Sequence, residues 1–374
     1  MRIGIDAGPI LGDRGGVGWH TYHLLTALLR TSEEVDWYLY VNPGARARHG
    51  EQMDRLVRET DNRAVRWIEA GRWGRRWRGF LDRLDLYHGT NFKMHTTGRC
   101  GGVVTIHDLW LDRYPQYSPK TFGQQASFRR TRKTALKARR VITVSEHSAR
   151  DIHELYGVPR ERIAVIPNAV SADFCPAPRT AEWTALRVRL GIPEGRFLLF
   201  VGGADPRKNH EAAAKAFALI ADRYRGLSLV LVGDIRHRFA DMADTVRAQG
   251  IGSHTVCTGR LPIEEIRLLY AHAAALLFPS IYEGFGMPVL EAMACGTPVI
   301  TSKTTSLPEV AGDAALLVDP RNAEALADAA MRLLDDEGLQ ARLRAKGLQR
   351  AAQFTWERSA AMTVALYREL CGTC

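Results

Sequence analysis

The chain has 374 residues, 46% of them hydrophobic, a formal net charge of +10 and a pI of about 9.5. That length calls for two domains with real cores, and the charge narrows the partners to weigh to nucleic acid, an anionic membrane face or an anionic substrate. No apolar run approaches the length that spans a bilayer, and Asp6 interrupts any signal-peptide core, so the expectation is a cytoplasmic protein.

Arg2 to Ala7 alternates and predicts the first strand of a Rossmann-like half. A loop from Gly8 to Gly18 follows, and Trp19 to Arg30 predicts a helix with Tyr22, Leu25, Leu28 and Leu29 on its apolar side. Gly15-Gly16-Val17-Gly18 is thus a glycine loop at a helix start. It lacks the G-x-G-x-x-G spacing of a dinucleotide fingerprint, and no acidic residue clearly ends the second strand. Asp36 to Val41 and Ala64 to Ile68 are further strands, on either side of a weak charged helix from Arg46 to Glu59. Between Gly71 and Phe80, Arg72, Arg75, Arg76 and Arg78 are interleaved with Trp73, Trp77 and Phe80. That mixture suits a membrane interface, a lipid-phosphate acceptor or stacking on nucleic acid, and equally a solvated helix with buried aromatics.

Asp85 to His88 and Gly102 to Ile106 are the next strands. His107 and Asp108 stand at the carboxyl end of the latter, where open parallel sheets place their ligand crevice. A histidine there exchanges hydrogen bonds with a sugar hydroxyl or a phosphate near neutral pH. Pro119 to Arg140 predicts a long helix. Its second half carries Arg129, Arg130, Arg132, Lys133, Lys137, Arg139 and Arg140 with no acid among them. Such a stretch docks on anionic lipid, binds an acidic acceptor or is simply solvated. Val141 to Val144 is a strand, Ser145 caps a helix that runs to Tyr156, and Gly157 stops it. Arg162 to Ile166 closes the first half, and Asp173 to Thr180 reads as the hinge.

The second half opens the same way: a strand from Arg196 to Val201, a loop from Gly202 to Asn209, and a helix from His210 to Arg223. Lys208, at that strand-to-helix loop, suits a diphosphate as a point charge. Leu227 to Val232 and Thr255 to Thr258 are strands. Phe239 to Gln249 and Pro262 to His272 are helices. Ala275 to Phe278 is a short apolar run and predicts a buried strand. Two glycines and a proline in Pro279 to Gly286 break it. Pro288 suits a first helical turn, Val289 to Ala294 is the helix, and Cys295-Gly296 ends it. A glycine loop feeding a helix N-terminus offers bare amides and a positive dipole end to phosphate. Glu283 and Glu291 flank that anion site. Two carboxylates there make sense for a ligand with hydroxyl donors at both ends and phosphate between, as in a nucleotide sugar. Val299-Ile300 and Ala315 to Val318 are later strands, Asn322 to Gln353 supplies two polar helices, and Glu357 to Leu370 is amphipathic. The β-α alternation, twice over and without a sequence repeat, predicts two doubly wound domains facing a cleft. Of six cysteines, Cys371 and Cys374 form a lone C-x-x-C without the second pair that zinc requires.

Glu283-Gly-Phe-Gly-Met-Pro-Val-Leu-Glu291, followed by Ala-Met-Ala-Cys-Gly-Thr-Pro-Val-Ile, resembles the E-x7-E signature of the retaining glycosyltransferases of family 4. The resemblance extends over nearly the whole chain and looks nearest to mannosyltransferases of O-antigen and capsule assembly. It implies an α/β GT-B fold of two Rossmann-like domains, 1–173 with a returning helix 357–374, and 174–356. It implies transfer of a hexose from a nucleotide-diphosphate sugar to a glycan or lipid-linked acceptor, with retention and without a metal cofactor. Position by position, Glu291 would hold the ribose hydroxyls and Glu283 the donor sugar. The backbone of Phe285, Gly286, Met287 and Val289 would reach sugar and phosphate. Lys208 would bind the diphosphate, Gly16 would approach it, His107 would contact the sugar, and the main chain at Arg260 and Leu261 would meet the base. Many relatives carry an arginine several residues before the lysine. Gly202 to Asp205 offers none, so Arg207 is the expected substitute. The composition of the basic stretches Arg72–Phe80 and Arg129–Arg140 gives the expectation of a peripheral place on an anionic membrane surface, and no nucleic-acid partner is expected. The competing classes are a catalytically silent nucleotide-sugar binder, a basic nucleic-acid-binding protein and a nicotinamide-dependent oxidoreductase. The last lacks its fingerprint.

Overall fold

The computed structural model describes residues 1–12, 14–31, 34–62, 65–94, 101–117, 122–178, 180–234, 236–237 and 240–372. It divides into two compact units, Met1–Asn168 with Thr355–Cys374, and Ala169–Phe354.

The first unit is built on a parallel sheet of β1 (Arg2–Asp6), β2 (Asp36–Val41), β3 (Val65–Glu69), β4 (Leu86–Gly89), β5 (Gly101–Thr105), β6 (Arg140–Thr143) and β7 (Ile163–Val165). The spatial order is β3-β2-β1-β4-β5-β6-β7. Its helices are α1 (Gly16–Thr31), α2 (Ala45–Thr60), α3 (Arg72–Leu81), α4 (Trp110–Arg113), α5 (Phe122–Lys137) and α6 (Glu146–Tyr156). The inner strands are buried on both faces, with Trp37 through Val41 all buried, as a sheet covered by helices on each side requires, whereas β3 at the edge is half-exposed. The order reverses between β1 and β4, which opens a crevice at their carboxyl ends.

The second unit begins with α7 (Ala181–Arg189), a helix absent from the sequence reading. Its sheet contains β8 (Phe197–Val201) and β9 (Ser228–Val232), with α8 (His210–Ala218) between them. A small antiparallel pair, β10 (Arg236–His237) and β11 (Ala240–Asp241), precedes α9 (Met242–Ala248). Then come β12 (Thr255–Gly259), α10 (Ile263–His272), β13 (Ala275–Phe278), α11 (Met287–Ala294), β14 (Val299–Ser302), α12 (Leu307–Ala311), β15 (Ala315–Val318), α13 (Ala323–Asp335) and α14 (Glu337–Ala351). All six strands of this sheet are parallel, in the order β12-β9-β8-β13-β14-β15. Here the order reverses between β8 and β13.

The last helix, α15 (Trp356–Cys371), belongs to the first unit and packs on α1. A buried polar link fastens it. The Tyr367 hydroxyl lies 2.6 Å from His88 Nδ1 on β4, and His88 Nε2 lies 2.7 Å from Thr105 Oγ1 on β5. Burial pushes the His88 pKa down to about 3, so the ring is neutral and serves as one donor and one acceptor.

Several elements depart from their expected form; the helix expected from His210 to Arg223 ends at Ala218, with a separate 3-10 turn at Ala221–Arg223. The glycines at Gly16 and Gly18 are already helical, because α1 starts at Gly16 rather than Trp19. The basic helix ends at Lys137. Arg140 opens β6 instead and pairs with Glu369, so Arg129–Arg140 is not one continuous face. The helix expected from Phe239 begins only at Met242, capped by Asp241, whose carboxylate accepts from the Ala243 amide at 2.8 Å. Among the described residues no helix is long and apolar enough to cross a membrane. Cys374 lies outside the described residues, so the terminal cysteine pair has no structural account.

Candidate functional site

The reversal point of the second sheet brings two loops together. One follows β8 and contains Arg207, Lys208 and Asn209. The other follows β13 and contains Ser280 to Gly286. Backbone and amide bonds sew them to each other: the Ile281 N–H donates to the Arg207 carbonyl at 2.7 Å, and Asn209 Nδ2 donates to the Pro279 and Pro320 carbonyls at 3.0 and 2.6 Å. Asn209 takes the left-handed conformation (φ 57°) that this reach demands, and asparagine tolerates it better than most residues.

Sewn in this way, the loops place Lys208 against Glu283. Lys208 Nζ donates to Glu283 Oε1 at 2.7 Å, and the two side chains are 16% and 7% exposed. The Ser280 hydroxyl lies 2.7 Å from the same oxygen. Both contacts fall on Oε1. Farther along, the Ser306 hydroxyl lies 2.9 Å from the carbonyls of both Glu283 and Phe285 and holds the loop's far side. Phe285 is buried with its ring edge-on to Phe354. Gly286 caps α11 with φ 107°, where a Cβ would come within 2.6 Å of Leu307 Cδ2, so no other residue fits without displacement. Met287 and Pro288 form the first turn, and the amides at a helix start have no acceptor in a preceding turn. The Val289 N–H is turned inward onto the Gly286 carbonyl at 3.0 Å.

Glu291, one turn into α11, accepts from the buried Tyr270 hydroxyl at 3.0 Å. Burial pushes its pKa up to about 7, against the opposing pull of the Tyr270 bond and the Lys208 charge. The folded protein therefore holds this proton more tightly than the unfolded chain. The contribution is full below the ordinary value of 4.5 and is lost as the pH rises through about 7. Urea unfolding should show stability falling across that window by up to about 3 kcal/mol. In Glu291→Gln, which has no carboxyl to ionise, this component of the slope should vanish. An unchanged slope would place the titration elsewhere.

The remaining expected residues of this unit sit apart from that pair. Arg207 is held by Asp205, Nε to Oδ2 at 3.1 Å. Arg260 follows β12 and forms a forked, solvent-exposed pair with Asp234, which holds the Asp234 carboxyl below its usual range. Leu261 is half-buried beside it. The ends of β8, β9 and β12 form a continuous rim, with the amides of Gly202, Ala204 and Gly233 donating to the carbonyls of Val232, Asp234 and Gly259 at 2.8, 2.8 and 3.0 Å.

In the first unit, His107 lies past the end of β5. Its Nε2 is 3.1 Å from the Thr90 carbonyl, and the Thr90 hydroxyl donates to the Asp6 carbonyl at 2.7 Å. The ends of β1, β4 and β5 are thus chained across that unit's own reversal point. Burial lowers the His107 pKa, so the ring is neutral. A carbonyl only accepts, hence the proton is on Nε2 and Nδ1 keeps its lone pair. Gly16 is exposed at the start of α1, with no atom within 4 Å of where a Cβ would stand.

Sequence reasoning did not find Ser280, Ser306 or Tyr270, because a lone hydroxyl carries no periodic signal. Ser280 stands three residues before Glu283 and was the nearest to legible. Among the described residues, no three His, Cys, Asp or Glu side chains gather as a metal site requires.

A glycosyl transferases group 1 model matches residues 184–350, and a glycosyltransferase family 4 model matches residues 14–174. The O-antigen chain mannosyltransferase B of Escherichia coli is 32% identical over 287 residues, 76% of this chain and 74% of that protein. Among solved structures, a sucrose-phosphate synthase from Thermosynechococcus elongatus aligns over 100% of both chains with a TM-score of 0.76 at 21% identity. Anabaena HepE, in complex with UDP-glucose, aligns over 98% of this chain and 99% of its own with a TM-score of 0.74 at 18% identity. With two doubly wound parallel sheets, a helix returning to the first unit and these matches along both halves, the chain belongs to the family 4 glycosyltransferases of the GT-B fold.

Proposed function

We propose that this glycosyltransferase moves a hexose, with mannose the first candidate, from a nucleoside diphosphate to a hydroxyl of a glycan or lipid-linked acceptor. Transfer retains the anomeric configuration and uses no metal cofactor. The reading rests on the partly buried Lys208–Glu283 pair beside the start of α11. A fixed cation and a helix N-terminus stabilise a leaving diphosphate as its charge develops. The mannose candidate comes from the E. coli relative, which is a mannosyltransferase by name.

Glu283 Oε1 is committed to Lys208 and Ser280, and an ion-paired carboxylate is a weak nucleophile. That favours same-face attack, in which the departing phosphate takes the acceptor proton, over a covalent glycosyl intermediate. Glu283 Oε2 then orients the sugar and Glu291 the ribose diol, with the amides of Phe285, Gly286 and Met287 on sugar and phosphate, the Val289 N–H being spent on the Gly286 carbonyl. Arg207 supplements Lys208, and the backbone at Arg260 and Leu261 meets the base. In the first unit, His107 Nδ1 receives a sugar hydroxyl and Gly16 admits a phosphate.

The test is a thermal-shift panel of UDP-, GDP-, ADP- and dTDP-sugars. A donor at a hundredfold excess over its Kd stabilises the folded state by about 2.7 kcal/mol, and the right one should raise Tm by several degrees. No shift with any donor would end the reading. Loss of turnover in a chelator would end metal independence, and a product of inverted anomeric configuration would end retention.

A further inference from the structure

The first unit buries His20 against His107, and the reading above assigns His20 no role. It stands on the second turn of α1 and is 7% exposed. Its ring meets the His107 ring edge to face, with centroids 4.6 Å apart and planes at 82°. His20 Nδ1 lies 2.8 Å from Asn168 Oδ1. An amide oxygen only accepts, so the proton is on Nδ1 and Nε2 carries a lone pair. Among the described residues, that lone pair has no hydrogen-bond partner. Burial, reinforced by the neighbouring His107, holds the His20 pKa well below its ordinary value, so both rings are neutral.

Packing alone does not account for a histidine here. A phenylalanine would fill the same space and leave no buried acceptor unpaired. What a phenylalanine lacks is a bond that fixes the plane of its ring. Asn168 supplies that bond to His20, and Trp356 bounds the ring on another side, with 5.6 Å between centroids. A ring fixed in this way is a wall for His107. Phe92 is a second wall at 5.8 Å, and the Thr90 carbonyl takes the His107 Nε2 proton at 3.1 Å. Turning the His107 ring over would carry Nδ1 to the opposite side and break the bond to Thr90. The two flanking rings oppose that turn.

We propose that His20 is a positioning residue for the transfer: held by Asn168, it fixes the ring of His107 so that Nδ1 stays presented to the sugar hydroxyl. The proposal deepens the transferase reading and rests on it only for the ligand that Nδ1 meets.

The ring geometry is tested without substrate, on the full chain carrying isotope-labelled histidine. Two-bond nitrogen–proton correlation spectra report the tautomer of each neutral imidazole, and His107→Ala identifies the His107 signal by its loss. The unsubstituted chain should show His107 in the Nε2–H form alone. His20→Ala and Asn168→Ala should each show both tautomers. His20→Phe keeps the buried volume, so it should fold even where His20→Ala does not, and without the Asn168 bond it too should show both. With a donor that turns over, His20→Ala should lower kcat about tenfold with KM within a few-fold. His20→Ala/His107→Ala should be no slower than His107→Ala, because a group that acts through another adds nothing once the other is gone. A residue that only supported the fold would add its own loss. A single His107 tautomer in both His20 variants, both tautomers already in the unsubstituted chain, or a double variant slower than His107→Ala would each overturn the proposal. Full turnover in His107→Ala would overturn it as well, by taking His107 out of the chemistry. The expected tautomer changes in a chain that turns over no donor would support the positioning while ending the transferase reading.

Discussion

Lys208→Ala should cut transfer by about 10²- to 10³-fold, the usual cost of losing one preorganised group that stabilises developing charge. It should also destabilise the second unit, for a separate reason. Glu283 is 7% exposed, and without the lysine its charge retains, among the described residues, only the Ser280 hydroxyl as a side-chain partner. Leaving half of a buried pair costs about 3 kcal/mol. The two effects can be separated with Lys208→Ala/Glu283→Ala. Removing both charges lifts the burial penalty, so the double variant should regain most of the lost stability and none of the lost turnover. Urea midpoints and donor turnover on the three proteins check this. Full turnover in the single variant would remove Lys208 from the chemistry. A double variant as unstable as the single would show that the pair's burial is not the source of the destabilisation.

How much of this was legible in the sequence depends on how local each signal is. Phe197 to Val201 and Ala275 to Phe278 are continuous apolar runs, and both are central strands, because a strand buried on both faces leaves no polar positions to confuse the period. The loops after them were legible from their glycines and prolines. That Lys208 and Glu283 touch was not, for they are 75 residues apart. Their meeting depends on β8 and β13 being neighbours at the point where strand order reverses, a property of the whole sheet. Tyr270 under Glu291 is hidden for the same reason. Arg75 was misjudged in the opposite direction. Read with its neighbours it looked like one more surface arginine, yet it is buried on Asp6, and only tertiary structure supplies that counter-charge. The end of the basic helix was overrun because Lys and Arg favour helix, whereas Arg140 is claimed by β6 and by Glu369.

Glu283→Gln should lower kcat by about 10²-fold with KM changed by only a few-fold. Glutamine keeps the side-chain volume and an oxygen for Ser280, so the loop after β13 should hold its shape. What it loses is the charge that fixes Lys208 and a carboxylate oxygen able only to accept. Its amide nitrogen presents a donor where a sugar hydroxyl would donate, and Lys208, at 16% exposed, can relax toward water instead of staying aligned with the leaving phosphate. Stability should drop less than in Lys208→Ala, because a partly solvated ammonium tolerates the loss of its partner better than a buried carboxylate does. Steady-state kinetics with the donor found by thermal shift separate the alternatives. A rise in KM at constant kcat would mean that Glu283 binds ground state and transition state alike, and so contributes affinity rather than catalysis.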